Sequence, residues 1–194
     1  MSATVLSTFL TFTFVTAFTP GPNNILALNS GSRYGFQGSL PVMLGICTGF
    51  FYVMCLCGAI ALSVSVISEK MIMVMKYIGC IYMLWLAWKI ASAKTEDIDT
   101  GIKTGFMNGF ILQFVNIKII TSGLAAFSGF VLPYYDTFPA IIAFILILSL
   151  IGNAGTLTWA VAGSALQRFF KQNMRTANSV MGLMLLFCAV NMLL

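Results

Sequence analysis

Long apolar runs, each about the length of a membrane crossing, are separated by short polar interruptions along this chain. A helix needs roughly 20 apolar residues to cross a bilayer, and the charged positions divide the sequence into six runs of that order. The pattern predicts helices from about Val5 to Leu28, Leu40 to Ile67, Met71 to Ile90, Gly105 to Phe130, Ala140 to Leu166 and Ala177 to Leu194. The second run is long enough to be tilted or to end in an extension. The stretch Ala91 to Thr104, with Lys94, Glu96, Asp97, Asp99 and Lys103, is the one loop rich enough in charge to be plainly solvated, and Pro133 to Pro139 forms a short turn.

The predicted fold class is therefore all-α: a polytopic membrane protein with six transmembrane helices. The chain reads as one transporter domain over 1–194. It divides into three spans in about 1–90 and three in about 105–194, and an odd number of spans per half inverts the second half relative to the first. That is the layout of an inverted-repeat transporter.

Composition agrees. Of 194 residues 59% are hydrophobic and 8% charged, against about a quarter charged in an ordinary soluble domain. Charge adds an orientation. Arg33, Lys89, Lys94, Lys103, Arg168, Lys171 and Arg175 fall on one side of the predicted bundle, and Lys70 and Lys76 on the other. Loops rich in Lys and Arg stay in the cytoplasm, so both termini are expected on the periplasmic face of a bacterial inner membrane. The basic residues have no interleaved aromatics and no arm-like cluster, so no nucleic-acid partner is expected.

Two interruptions carry the candidate chemistry. Thr19-Pro20-Gly21-Pro22-Asn23-Asn24 breaks the first span. A proline inside a helix donates no N–H and clashes with the carbonyl four residues back, so Pro20 and Pro22 free the carbonyls of Thr16 and Phe18. Such a break is tolerated in lipid where the freed groups face protein or a watery cavity. The carbonyls can accept from an ammonium group, and the amides near Asn23 and Asn24 can donate to a carboxylate. The alternative is a simple kink. In the fourth span, Gln113-Phe114-Val115-Asn116-Ile117-Lys118 sets a lysine near mid-bilayer, too deep to reach water by its own length. A lysine there is costly and should face the interior, either contacting substrate or holding carbonyls of the broken first helix. Gln113, Asn116 and Lys118 share no narrow helical stripe, but a locally broken helix would unite them. Asn153 in the fifth span is a further polar point, suited either to inter-helix hydrogen bonding or to lining a pore.

The predicted substrate site is thus Pro20, Gly21, Pro22, Asn23, Asn24, Gln113, Asn116, Lys118 and Asn153, without cofactor or metal. The chain has no histidine, and its five cysteines, Cys47, Cys55, Cys57, Cys80 and Cys188, all lie in apolar runs without a C-x-x-C pair. All five acids, Glu69, Glu96, Asp97, Asp99 and Asp136, lie in loops or turns, so no carboxylate relay crosses the membrane and no paired-carboxylate or Ser/His site supports an enzyme. Gly45-x-x-x-Gly49 and Gly105-x-x-x-Gly109 are small-residue pairs for close helix approach, within one chain or between two copies in a homodimer. Trp85 and Trp88 suit an interface belt.

Thr19-Pro20-Gly21-Pro22-Asn23, the glycine-spaced second span and Asn116-Ile117-Lys118 resemble the LysE/RhtB family of amino-acid exporters, over essentially the whole chain. The resemblance implies an inner-membrane exporter of a small zwitterionic amino acid, with cysteine and O-acetylserine as the implied substrates and homoserine or threonine as alternatives. Two positions depart from the wider family: Ile117 stands where many members have proline, and Phe50 and Phe51 follow Gly49 where many carry an acid. Without a buried acid, a dibasic substrate is disfavoured. A competing class, the thiol electron carriers of the CcdA/DsbD type, shares a related layout but needs a cysteine in the first and the fourth helix, and neither helix here has one.

Overall fold

The computed structural model describes residues 1–62 and 105–193 and, between them, 77, 80, 81, 84–88 and 90–92. Among these residues every regular element is helical. Helix α1 spans Ala3–Phe18 and starts on Ser2, whose Oγ accepts from the amide of Val5 at 3.3 Å. It stops because Thr19 precedes Pro20 and is held in extended backbone (φ −65°, ψ 141°). The chain restarts at once as α2, Pro22–Leu62, with Pro22 in the first helical position, where its missing N–H costs nothing. Gly35 then divides α2 into runs 22–34 and 36–62. Its φ of +70° and ψ of 177° turn the chain sharply, in a region that side chains disfavour. Two bonds fasten this turn: the amide of Phe36 donates to Ser164 Oγ at 3.1 Å, and Gln167 Nε2 donates to the carbonyl of Arg33 at 3.2 Å.

The predicted fourth span is also broken. Helices α3 (Phe106–Val115) and α4 (Ile117–Ala126) meet at Asn116 (φ −83°, ψ 90°), and the pair is bent by 58°. A π-helical turn, Phe127–Val131, closes α4. Helix α5 (Phe138–Ala165) is followed by the short α6 (Gln167–Gln172) and by α7 (Met174–Leu193). The predicted third helix falls largely outside the described residues, as does the charged stretch after it; its described positions 77, 80, 81, 84–88 and 90–91 are helical. Two helices, Pro22–Leu62 and Phe138–Ala165, are long and apolar enough to cross a membrane, and the bent pair from Phe106 to Val131 makes three if it counts as one span.

Apolar packing forms two bodies. One gathers Ile25–Ala27, Val42, Met43 and Ile46 from α2 with Leu86, Leu112, Ala160, Met181 and Leu185. The other gathers Phe9 of α1, Val53, Met54 and Cys57 of α2, Ile119, Ile120 and Phe127, and Ile141, Ile145 and Leu148 of α5. The outside of the bundle is apolar too: Leu150 is 73% exposed and Phe187 69%. Water tolerates scattered exposed residues of this kind, but a belt spread over many helices belongs against lipid.

Glycines set the helix spacing. A Cβ on Gly45 would lie 2.0 Å from the carbonyl oxygen of Phe106, and one on Gly109 would lie 2.2 Å from that of Val42. Run 36–62 and α3 therefore cross backbone to backbone, which uses Gly45 and Gly109 inside one chain. Gly31 and Gly163 do the same for run 22–34 and α5, against Ala160 and Leu28 carbonyls at 2.3 Å each. Gly155 of α5 admits the carbonyl of Ala17. So α1 packs along α5, from Phe144 to Gly155, and α3 packs on the first half of run 36–62.

Candidate functional site

A polar layer lies between the two apolar bodies, where the breaks at 19–21 and at Asn116 meet. Three amide side chains form a directional chain whose sense is set by one backbone oxygen. The Gly109 carbonyl can only accept, so Gln113 must turn its Nε2 toward it (2.9 Å). Gln113 Nε2 also donates to Asn23 Oδ1 at 2.9 Å, and Gln113 Oε1 accepts from Asn23 Nδ2 at 2.7 Å. Asn23 Oδ1 takes a second donor, Asn116 Nδ2, at 3.1 Å. Asn116 Oδ1 is thereby turned away from the chain, and it is buried with no hydrogen-bond partner. Exposure of these three side chains is at most 7%, so an unused acceptor among them is energetically exceptional.

The carbonyls of Ala17, Phe18, Thr19 and Pro20 at the proline break have donors. Asn24 Nδ2 donates to the carbonyls of Ala17 (2.8 Å) and Thr19 (2.9 Å). Lys118 Nζ donates to Thr19 (3.0 Å) and Pro20 (3.4 Å), and Trp159 Nε1 donates to Phe18 at 3.1 Å. Thr156 Oγ1 lies 3.3 Å from Asn24 Oδ1 and 3.2 Å from the Gly152 carbonyl. Its single proton can serve only one of them at a time. Gly21 is where the lysine passes: a Cβ there would lie 3.1 Å from both Cδ and Nζ of Lys118.

An open cavity of about 570 Å³ borders this layer. Of the residues predicted for the site, Gly21, Pro22, Asn23, Asn24, Asn116 and Lys118 line it; Pro20, Gln113 and Asn153 do not. Gln113 acts from behind, through Asn23. Asn153 turns its Nδ2 to the carbonyl of Cys47, at 3.5 Å. The rest of the lining was not legible from the sequence pattern: Thr13, Thr16, Ser122 and Thr156 add hydroxyls, and Phe12, Phe50, Met54 and Leu148 add apolar surface. Single hydroxyls in an apolar helix usually bond their own backbone, as Thr13 does to Phe9, and so give no signal. All the apolar lining belongs to or packs against the second apolar body and none to the first. The cavity therefore lies on the side of Phe9 and Met54 rather than on the side of Ile46 and Leu112.

Arg33 also departs from expectation. Taken as a loop charge, it is only 6% exposed, with Nε on Asn29 Oδ1 (3.1 Å) and Nη2 on Asn178 Oδ1 (3.4 Å). Cys47, Cys55, Cys57 and Cys80 are free thiols, and no group of His, Cys, Asp or Glu that could hold a metal occurs among the described residues.

An apolar-surfaced helical bundle, with two broken helices meeting at a buried polar layer beside an open cavity, defines a membrane translocator. The chain matches the family described as LysE type translocator over residues 14–194, and it belongs to that family. It is 44% identical over 191 residues to the cysteine/O-acetylserine efflux protein of Salmonella typhimurium, covering 98% of each chain. Its identity to the protein of the same name from Escherichia coli O157:H7 is 44% over 193 residues, again covering 98% of each. No solved structure matches the chain.

Proposed function

We propose that this protein exports small neutral amino acids, foremost cysteine and O-acetylserine, across the bacterial inner membrane, and that the zwitterion is held between Asn116 and Lys118. The observation that carries the site is the orphaned Asn116 Oδ1. It is a buried acceptor beside the cavity, made available by the Gly109–Gln113–Asn23 chain, and an ammonium group would satisfy it. The carbonyls of Ala17, Phe18, Thr19 and Pro20 already have donors, whereas this buried side-chain oxygen has none. The carboxylate then meets Lys118 Nζ and the first amides of α2 at Asn23 and Asn24, which have no acceptor within the helix. Pro20, Gly21 and Pro22 shape this junction; Gln113 and Asn153 act as structural supports.

The architecture in this proposal is one domain of six spans in two inverted halves. The packing pattern supports it: α1 lies on α5 as α3 lies on run 36–62, and glycines mediate both contacts. With both termini periplasmic, the cavity lies on the outward side of the polar layer. A small zwitterion and the lipid bilayer are the partners in this account.

A transport panel tests the reading. Inverted membrane vesicles containing the protein are expected to accumulate labelled cysteine and O-acetylserine but not lysine, since no buried acid receives a second amine. Repeating the panel with and without a pH gradient reads the coupling. Accumulation of lysine in place of the neutral substrates would overturn the assignment.

A further inference from the structure

Phe50 and Gly152 form a matched pair in the cavity wall. Both line it, and they face each other from run 36–62 of α2 and from α5. A Cβ on Gly152 would lie 2.5 Å from Phe50 Cζ, 2.9 Å from Cε2 and 3.0 Å from Cε1. The far edge of the ring is therefore seated in the notch that the missing side chain leaves. A glycine inside a helix is less favourable than alanine, and here the ring occupies the space it makes. The backbone carrying Phe50 is itself fixed: at Gly49 a Cβ would lie 2.8 Å from the Phe110 carbonyl and 2.7 Å from Gln113 Cγ. Phe50 can neither retreat with its helix nor sink further into α5.

A zwitterion held by its charged groups at the two breaks must lay its side chain against the remaining lining. Its bulky apolar part is Phe12, Phe50, Met54 and Leu148, beside the hydroxyls of Thr13, Thr16, Ser122 and Thr156. Met54 follows Phe50 by one helical turn, and Leu148 precedes Gly152 by one turn, so both flank the pair. We propose that Phe50, seated in the Gly152 notch, determines the largest substrate side chain the protein accepts. This rests on the transport reading above and adds to it the residue that sets the size range. Phe50→Ala removes the ring and extends the cavity. Gly152→Ala displaces the ring edge from its notch into the cavity and shortens it.

Uptake into inverted vesicles, normalised to protein in the membrane, tests this across alanine, serine, cysteine, O-acetylserine, O-propionylserine and O-butyrylserine. Phe50→Ala is expected to raise O-propionylserine and O-butyrylserine transport by about 10-fold relative to serine, the usual scale for a methylene or two in an apolar pocket. Gly152→Ala is expected to lower O-acetylserine by a similar factor relative to serine. Adding Phe50→Ala to Gly152→Ala should restore O-acetylserine, because the displaced ring is gone. Phe50→Leu, which preserves apolar packing, gives an intermediate cut-off and guards against misfolding of the alanine variant. An unchanged size order in Phe50→Ala and Phe50→Leu, or an equal loss for all substrates in Gly152→Ala that Phe50→Ala does not repair, overturns the assignment and leaves the transport reading standing. A parent that moves none of the panel overturns both.

Discussion

Lys118→Ala is expected to lower export by roughly one to two orders of magnitude while leaving the protein inserted and folded. The lysine bonds the carbonyls of Thr19 and Pro20, but Thr19 keeps a second donor in Asn24 Nδ2, so the break does not lose all its support. What disappears is the one cation that meets the cavity at the break. A hydrogen bond to a charged group is worth about 1.5–3 kcal/mol, which corresponds to roughly 10- to 150-fold in transport efficiency. Efflux from cells, with the amount of protein in the membrane measured in parallel, reads both outcomes. Export at the parental rate by a Lys118→Ala protein would reduce the lysine to a structural clamp.

Gln113→Leu should be nearly as damaging although Gln113 does not touch the cavity. Its side chain is fully buried and carries the polarity of the Gly109 carbonyl through to Asn23. Leucine strands Asn23 Nδ2, at about 1–3 kcal/mol, and frees Asn23 to turn over; the Gly109 carbonyl keeps only its helical backbone donor. Asn116 then has no fixed orientation and its acceptor is no longer directed at substrate. Gln113→Glu sharpens the test, since it keeps the shape but replaces the donor facing Gly109 with an acceptor. Both variants are expected to lower thermal stability in detergent and to reduce export beyond what their remaining folded fraction explains. A fully active Gln113→Glu protein would contradict the directional chain.

Much of this site could be read from the residues, and the parts that could not share a cause. Pro20-Gly21-Pro22 dictates a break by covalent geometry, so its place was legible. Lys118 was legible because a charge in mid-bilayer needs a reason. The break at Asn116 has no proline to announce it: Ile117 follows it. The break is held instead by Asn116 Nδ2 on Asn23 Oδ1, 93 residues away in sequence, and local propensity contains no such contact. The same holds for Trp159 on the Phe18 carbonyl and for Phe50 against Gly152. Arg33 reads as a loop charge because Gly35 follows it, yet Asn29, Asn178 and Gln167 enclose it. Helix boundaries followed hydropathy closely at α5, whereas the first span runs on to residue 34, past its predicted end at Leu28.

The central claim is that substrate supplies an ammonium to Asn116 Oδ1 and a carboxylate to Lys118. O-acetylserine and N-acetylserine are isomers that differ in whether the ammonium is free or capped. Purified protein in liposomes, loaded with unlabelled O-acetylserine at mildly acidic pH so that the acetyl group stays on oxygen, should exchange labelled O-acetylserine and ignore labelled N-acetylserine. Asn116→Leu should lose the first exchange without gaining the second. Equal exchange of the two isomers by the parent, or undiminished O-acetylserine exchange by Asn116→Leu, would contradict the account.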